Sequence, residues 1–339
     1  MTPSQQADAP RRWGKEGFWR GETLFAIILF AALALLPMLA GGYIVYILPQ
    51  YLLFGMLAMS LALLWGFVGI LSFGQAAFFA LGAYALGLAL GHWGPSGSYV
   101  GLLAAPLLGG LLAALAGYFL FSAGVRATYF VLVTLALSII VEQIAVSQSQ
   151  ITGGWNGLFV DRIVLSFGPL GTLELFDDYA AYFFILPVVA LAYVLLRWAT
   201  TAKFGKVLVG IRENEDRLTA LGYDISLYKT AAFALSGAVA GLAGALYGMH
   251  ANFVSPSLAG VLFSTEVVVW VAIGGRISLI GALAGGVIVS SISNYLSSII
   301  PDYWQLALGV IFILVIIFFK EGFAGAVTQT LRAARRRRQ

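Results

Sequence analysis

Three features of the 339-residue sequence predict an all-α polytopic membrane protein with about ten transmembrane helices. The first is composition: 60% of residues are apolar and 10% charged, whereas a soluble chain carries about 25% charged residues. The second is a series of apolar stretches long enough to cross a bilayer, which takes about 20 residues for roughly 30 Å of hydrocarbon. The third is a one-sided distribution of lysine and arginine, which in a membrane protein reports orientation. With 14% aromatic residues and a mean hydropathy of +0.93, the chain is neither a large water-soluble protein nor a disordered one.

Ten stretches qualify as spans: 23–41, 45–66, 70–91, 99–121, 126–147, 180–198, 229–250, 261–275, 278–299 and 303–320. The eighth is short and fits a half-helix or a re-entrant segment. Gly69, Ser72, Gly74 and Gln75 interrupt the apolar run of the third. The first follows a basic tail (Arg11, Arg12, Lys15, Arg20), but Met38 and Ala40 form a poor cleavage pair, so it reads as an uncleaved signal anchor.

An even number of spans with both termini cytoplasmic places 18 of the 19 Lys and Arg residues on the inside. They occupy the tail 1–22, Arg126, the loop 199–228 with its flanks, Arg276, Lys320, and the tail 321–339 with Arg332 to Arg338; only Arg162 falls outside. The inner side then carries +10 and the outer side −4, with Glu142 and Glu266 inside the spans. The net charge of +4 and pI of 9.2 thus reflect a polarised topology around a membrane-spanning domain 23–320, not a footprint for nucleic acid. The C-terminal arginines read as an inside anchor facing membrane lipid.

Catalytic chemistry is poorly represented. The absence of cysteine removes disulfides, thiolate metal sites and cysteine nucleophiles, and His92 and His250 alone do not make a multi-histidine metal centre. No G-x-x-x-x-G-K-[S/T] loop, H-E-x-x-H or G-x-S-x-G motif occurs. No catalytic residue, metal or cofactor is therefore expected in this chain. Its energy comes from an ion gradient or from a partner.

Two loops carry information. The inner loop 199–228 contains Arg212-Glu213-Asn214-Glu215-Asp216-Arg217, then Leu218, Leu221 and Gly222. It reads as a short amphipathic helix with Leu218 and Leu221 on one face and Gly222 as a stop, or as a solvated linker. The outer loop 148–178 contains Thr152-Gly153-Gly154-Trp155-Asn156-Gly157 and the acids Glu174, Asp177 and Asp178. It either caps the outer mouth or docks a partner, with Trp155 at the interface.

Glycines 237, 241, 244 and 248 line one face of the seventh span, and the pairs Gly281/Gly285 and Gly87/Gly91 repeat the small-residue spacing of close helix packing. Intramembrane acids face a bundle or a wet cavity. Glu142 and Glu266 alone make a sparse proton relay for an ion-coupled secondary transporter, which is the alternative reading. The candidate translocation path is Ser72, Gln75, Thr134, Ser138, Glu142, Glu266 and Asn294, and interhelical hydrogen bonding explains its neutral members as readily.

Several segments resemble the inner-membrane permease subunits of branched-chain amino acid ABC importers, specifically the longer of the two paired permeases. They are Leu71-Ser72-Phe73-Gly74-Gln75-Ala76-Ala77-Phe78 with Leu81-Gly82-Ala83-Tyr84, the Thr152–Leu158 motif, and Ile273-Gly274-Gly275 followed by Gly281. The most specific block runs from Gly210-Ile211-Arg212-Glu213-Asn214-Glu215 through Ala220-Leu221-Gly222 to Ala240-Gly241-Leu242-Ala243-Gly244-Ala245-Leu246-Tyr247. The resemblance implies that the loop 199–228 is a coupling helix seated in a separate ATPase, with Arg212, Glu213, Glu215 and Arg217 in contact or orienting roles and Leu218 and Leu221 packing. Asp216 and Arg217 stand where the general importer pattern has alanines. It further implies two ATP-binding cassette subunits carrying ATP and Mg, a second homologous permease, and location in a bacterial inner membrane. A periplasmic substrate-binding protein would dock on the outer loop through Trp155, Asn156, Asp177 and Asp178.

Overall fold

The computed structural model describes residues 15–313 apart from residues 40, 126, 167–171, 176, 305, 307–308 and 311–312. Most of the predicted tenth span, the tail 321–339, Arg126 and residues 1–14 lie outside the described residues. Helix α1 covers Lys15–Leu39, α2 Gly42–Ala62, α3 Gln75–Trp93, α4 Gly97–Ser122 and α5 Ala127–Ser147. A single turn, α6 (Ser149–Thr152), precedes α7 (Asp178–Thr201). Two short helices, α8 (Lys203–Glu213) and α9 (Glu215–Ala220), lead to α10 (Ile225–Ala251), α11 (Val261–Gly274) and α12 (Leu279–Ile299). Short strands β1 (Leu158–Phe159), β2 (Val164–Ser166), β3 (Thr172–Glu174) and β4 (Phe253–Val254) form two antiparallel ladders, β1 with β4 and β2 with β3.

The architecture is an all-α membrane bundle. Among the described residues six helical stretches are long and apolar enough to cross a bilayer, and two shorter apolar helices, Glu22–Met38 and Val261–Gly274, accompany them. One of the six, Gln75–Ser122, is a hairpin: α3 and α4 are separated at Gly94–Ser96, and Gly97 and Gly101 fold back against Ala89 and Leu86.

Glycine decides how the centre packs. Along α10, Ser236 meets Gln75 of α3, Gly244 meets Phe79 and Gly248 meets Ala83, so α3 and α10 run parallel. On the other side Gly241 meets Ala105, Gly237 meets Gly109 and Phe233 meets Gly117, so α4 runs antiparallel. A Cβ on Gly109 would sit 2.5 Å from the Gly237 carbonyl oxygen, too close for any side chain. The same device joins α11 to α12 at Gly274, Gly281 and Gly285. The expected pairing role of Gly91 is corrected: its Cβ position meets nothing within 4 Å, while Gly87 lies against Leu158 and Val160 of the outer loop rather than another helix.

The third helix begins at Gln75 and not near residue 70. α2 ends in a π-helical turn, Leu63–Val68, and Gly69 at φ +85° turns the chain into a non-helical stretch up to Gly74. Backbone buried without helical partners must bond elsewhere. Here Phe73 N–H donates to Thr134 Oγ1 (3.1 Å), Ser138 Oγ donates to the Phe73 carbonyl (2.8 Å), and Gly74 N–H donates to Ser72 Oγ (3.1 Å).

Candidate functional site

One end of the bundle holds the α8–α9 segment. The expectation of one amphipathic helix is corrected, because Asn214 adopts an extended conformation and splits it in two. The Asn214 side chain then caps α9 by accepting from Arg217 N–H (2.9 Å), and asparagine is among the residues best suited to that position. Gly222, at φ +83°, ends the segment with its N–H on the Thr219 carbonyl (2.9 Å), as its place after the helix predicts. Asp224 caps α10 by accepting from Leu227 N–H (3.1 Å).

Two anchors fix this elbow to the bundle. Arg212, in the last turn of α8, lies over Gly69 and donates to the Gly66 carbonyl at the end of α2. Glu215 of α9 accepts from Lys229 Nζ at 2.6 Å, and that ammonium also stands 5.6 Å from the centre of the Phe121 ring. Leu218 packs against Gly210, but Leu221 is 67% exposed, so the two leucines do not share a buried face. The reason is that α9 stops at Ala220 and the Gly222 turn swings Leu221 outward. Glu213 and Arg217 are exposed as well. Beside the elbow lies a cleft of about 400 Å³, lined by Glu215, Asp216, Lys229, Ser226, Phe121 and Ile70 among others.

The residues assigned to a translocation path fall into separate groups. Ser72, Thr134 and Ser138 hold the break before α3. Gln75 joins three helices: its Oε1 accepts from Ser60 Oγ (3.0 Å), its Nε2 donates to Ser236 Oγ (3.1 Å), and Ser236 Oγ donates to the Ser60 carbonyl (2.6 Å). Glu142 lies beside Gly260, at the start of α11. Glu266 and Asn294 line a different cavity between α2, α11 and α12. Ser60, Ser236 and Lys229 were not among the predicted site residues; a lone serine in an apolar helix gives no sign that it faces another.

The opposite end is built around the outer loop. β1 pairs with β4, and Val160 N–H reaches the Asn252 carbonyl (3.1 Å), tying the loop to the end of α10. Arg162 and Asp178 form an ion pair at 3.3 Å. Trp155 is 73% exposed, while Asn156 and Asp177 are also exposed.

Sequence comparison decides what such a bundle is for. Residues 43–316 match the family model described as branched-chain amino acid transport system / permease component. The chain belongs to this family. It is similar to the high-affinity branched-chain amino acid transport system permease protein LivM of Escherichia coli (strain K12), 26% identical over 322 residues covering 89% of this chain and 74% of that protein. It is likewise 26% identical over 300 residues to the probable branched-chain amino acid transport permease protein LivM of Methanocaldococcus jannaschii, covering 78% of this chain and 84% of the other. The xylose transport system permease protein XylH of Escherichia coli (strain K12) is 30% identical over 146 residues, 40% of this chain and 36% of that one. No solved structure matches. The permease is thus a multi-pass membrane subunit of an ABC importer and not an enzyme; the ion-coupled alternative is not favoured.

Proposed function

We propose that the permease moves a branched-chain amino acid or a related small polar solute inward, after delivery by a periplasmic binding protein, on energy from a separate ATPase. The observation that carries this reading is the α8–α9 elbow. It is held to the bundle by Arg212 and by the Lys229–Glu215 pair, yet it presents Glu213, Arg217 and Leu221 to solvent. A lever needs this combination: a rigid connection to the moving helices and an unsatisfied surface for whatever drives it. On this reading two cassette subunits carrying ATP and Mg grip the elbow, and a second homologous permease completes the path. The substrate class is carried over from the LivM relatives.

The same reading sets orientation. Arg197, Lys203, Lys206, Arg212, Arg217, Lys229 and Arg276 lie on or beside the elbow end, and Arg162 belongs to the outer-loop end. The positive-inside rule then makes the elbow cytoplasmic in the inner membrane. Ten spans with both termini inside remain our assignment, with the domain limits 1–22, 23–320 and 321–339.

The test is uptake into proteoliposomes. The chain assembled with its ATPase, second permease and binding protein is expected to accumulate leucine only with ATP and Mg. Gradient-driven accumulation by this chain alone would contradict the proposal.

A further inference from the structure

The cavity between α2, α11 and α12 has a volume of about 220 Å³ and contains Glu266. Three features define what it can hold. Among the described residues, Glu266 makes no hydrogen bond and no ion pair, although carboxylates within membrane helices are ordinarily paired. Ser290, only 6% exposed, also lines the cavity, and its buried Oγ has no partner either. A hydroxyl removed from water without a replacement bond is a standing cost, and a ligand atom relieves it.

The third feature is the wall. Phe54 stacks on Trp270 with ring centres 4.9 Å apart, and both line the cavity. Phe54 also stacks on Tyr247, with ring centres 5.4 Å apart, so the pair offers an apolar wall suited to an alkyl group. Asn294 spends its amide nitrogen on the Tyr43 hydroxyl (3.1 Å), which leaves its oxygen as an acceptor. No Lys, Arg or His lines the cavity among the described residues, so an anion would find a carboxylate and no counter-charge.

We propose that this cavity binds a small organic ammonium ion, with Glu266 as counter-charge, Ser290 as an acceptor, and Phe54 and Trp270 as an apolar wall for its alkyl part. The inference rests on the transport reading only in naming the ion as the ammonium end of the cargo. It makes Glu266 the residue that distinguishes amino acids from neutral solutes inside the permease.

The test uses the assembled importer in nanodiscs of phosphatidylglycerol, which carries no ammonium headgroup. Binding is read for radiolabelled isoamylamine, leucine and isocaproate, the last keeping the carboxylate of leucine but lacking its ammonium. The amine and leucine are expected to bind and isocaproate to fail. Glu266→Gln is expected to weaken amine binding roughly thirtyfold, the low end for removing one partner of a buried charge pair. If that variant does not assemble, Ser290→Ala reads the unpartnered hydroxyl in its place, again with weakened amine binding expected. Isocaproate binding as tight as the amine, or amine binding unchanged in these variants, would overturn the site. So would protection by added phosphatidylethanolamine with no amine binding, which would assign the cavity to a lipid headgroup. ATP-driven leucine uptake alongside such a result would sink the site and leave the transport reading intact. Amine binding that depends on Glu266, without any ATP-driven uptake, would uphold the site and sink that reading.

Discussion

Lys229 has its stem in the bundle and its ammonium on Glu215, whose side chain is 52% exposed. Solvent at the glutamate screens the pair, so its coupling energy is about 1 kcal/mol and not the larger value of a fully buried pair. A double-mutant cycle with Lys229→Met and Glu215→Gln, followed by thermal unfolding, is expected to return that coupling; additive effects would show that the two side chains do not act together. Ser138 gives a second residue-scale expectation. Ser138→Ala removes the donor to the partly buried Phe73 carbonyl and is expected to cost about 1 kcal/mol, seen as a lower unfolding midpoint. An unchanged midpoint would mean that the break before α3 is held by other groups. Single residues are where the sequence is least readable. Glu22 is counted there as part of a basic tail, yet it is buried in α1, paired with Arg197 of α7 and accepting from Ser278 Oγ (3.0 Å). Its partners lie 175 and 256 positions away, and nothing local announces them.

At the scale of elements the long helices are legible, because a run of apolar residues has few alternatives in a membrane. The predicted seventh, eighth and ninth spans coincide closely with α10, α11 and α12. The short elements are less so. The division between α8 and α9 depends on one asparagine within a polar run, where linker and cap read alike. The glycine rows are legible as packing surfaces, but their partners are not: Gly109 of α4 closes against Gly237, whereas Gly91 closes against nothing. This contrast makes a direct test. Gly109→Val is expected to lower the yield of folded, detergent-stable permease severely, while Gly91→Ala behaves as the parent in the same size-exclusion assay. Equal tolerance at both positions would contradict the close contact of α4 with α10.

Across the whole molecule, two differently built ends are joined by helices that run the full distance. α10 starts at the elbow, where Asp224 caps it and Lys229 holds Glu215, and ends at Asn252, whose carbonyl accepts from Val160 of the outer loop. A push on the elbow is therefore carried by a helix glycine-packed against α3 and α4, with little soft material between the ends. The cysteine-free sequence makes orientation easy to measure. A membrane-impermeant maleimide is expected to label Trp155→Cys in intact spheroplasts and Leu221→Cys only after lysis; the reverse pattern would invert the topology. The central claim, that the exposed face of the elbow transmits ATP-driven motion, is tested most directly by measuring uptake and ATP hydrolysis together in proteoliposomes carrying Glu213→Arg or Leu221→Asp. The account predicts normal insertion with loss of both solute uptake and binding-protein-stimulated hydrolysis. Parental uptake and stimulation in both variants would contradict it.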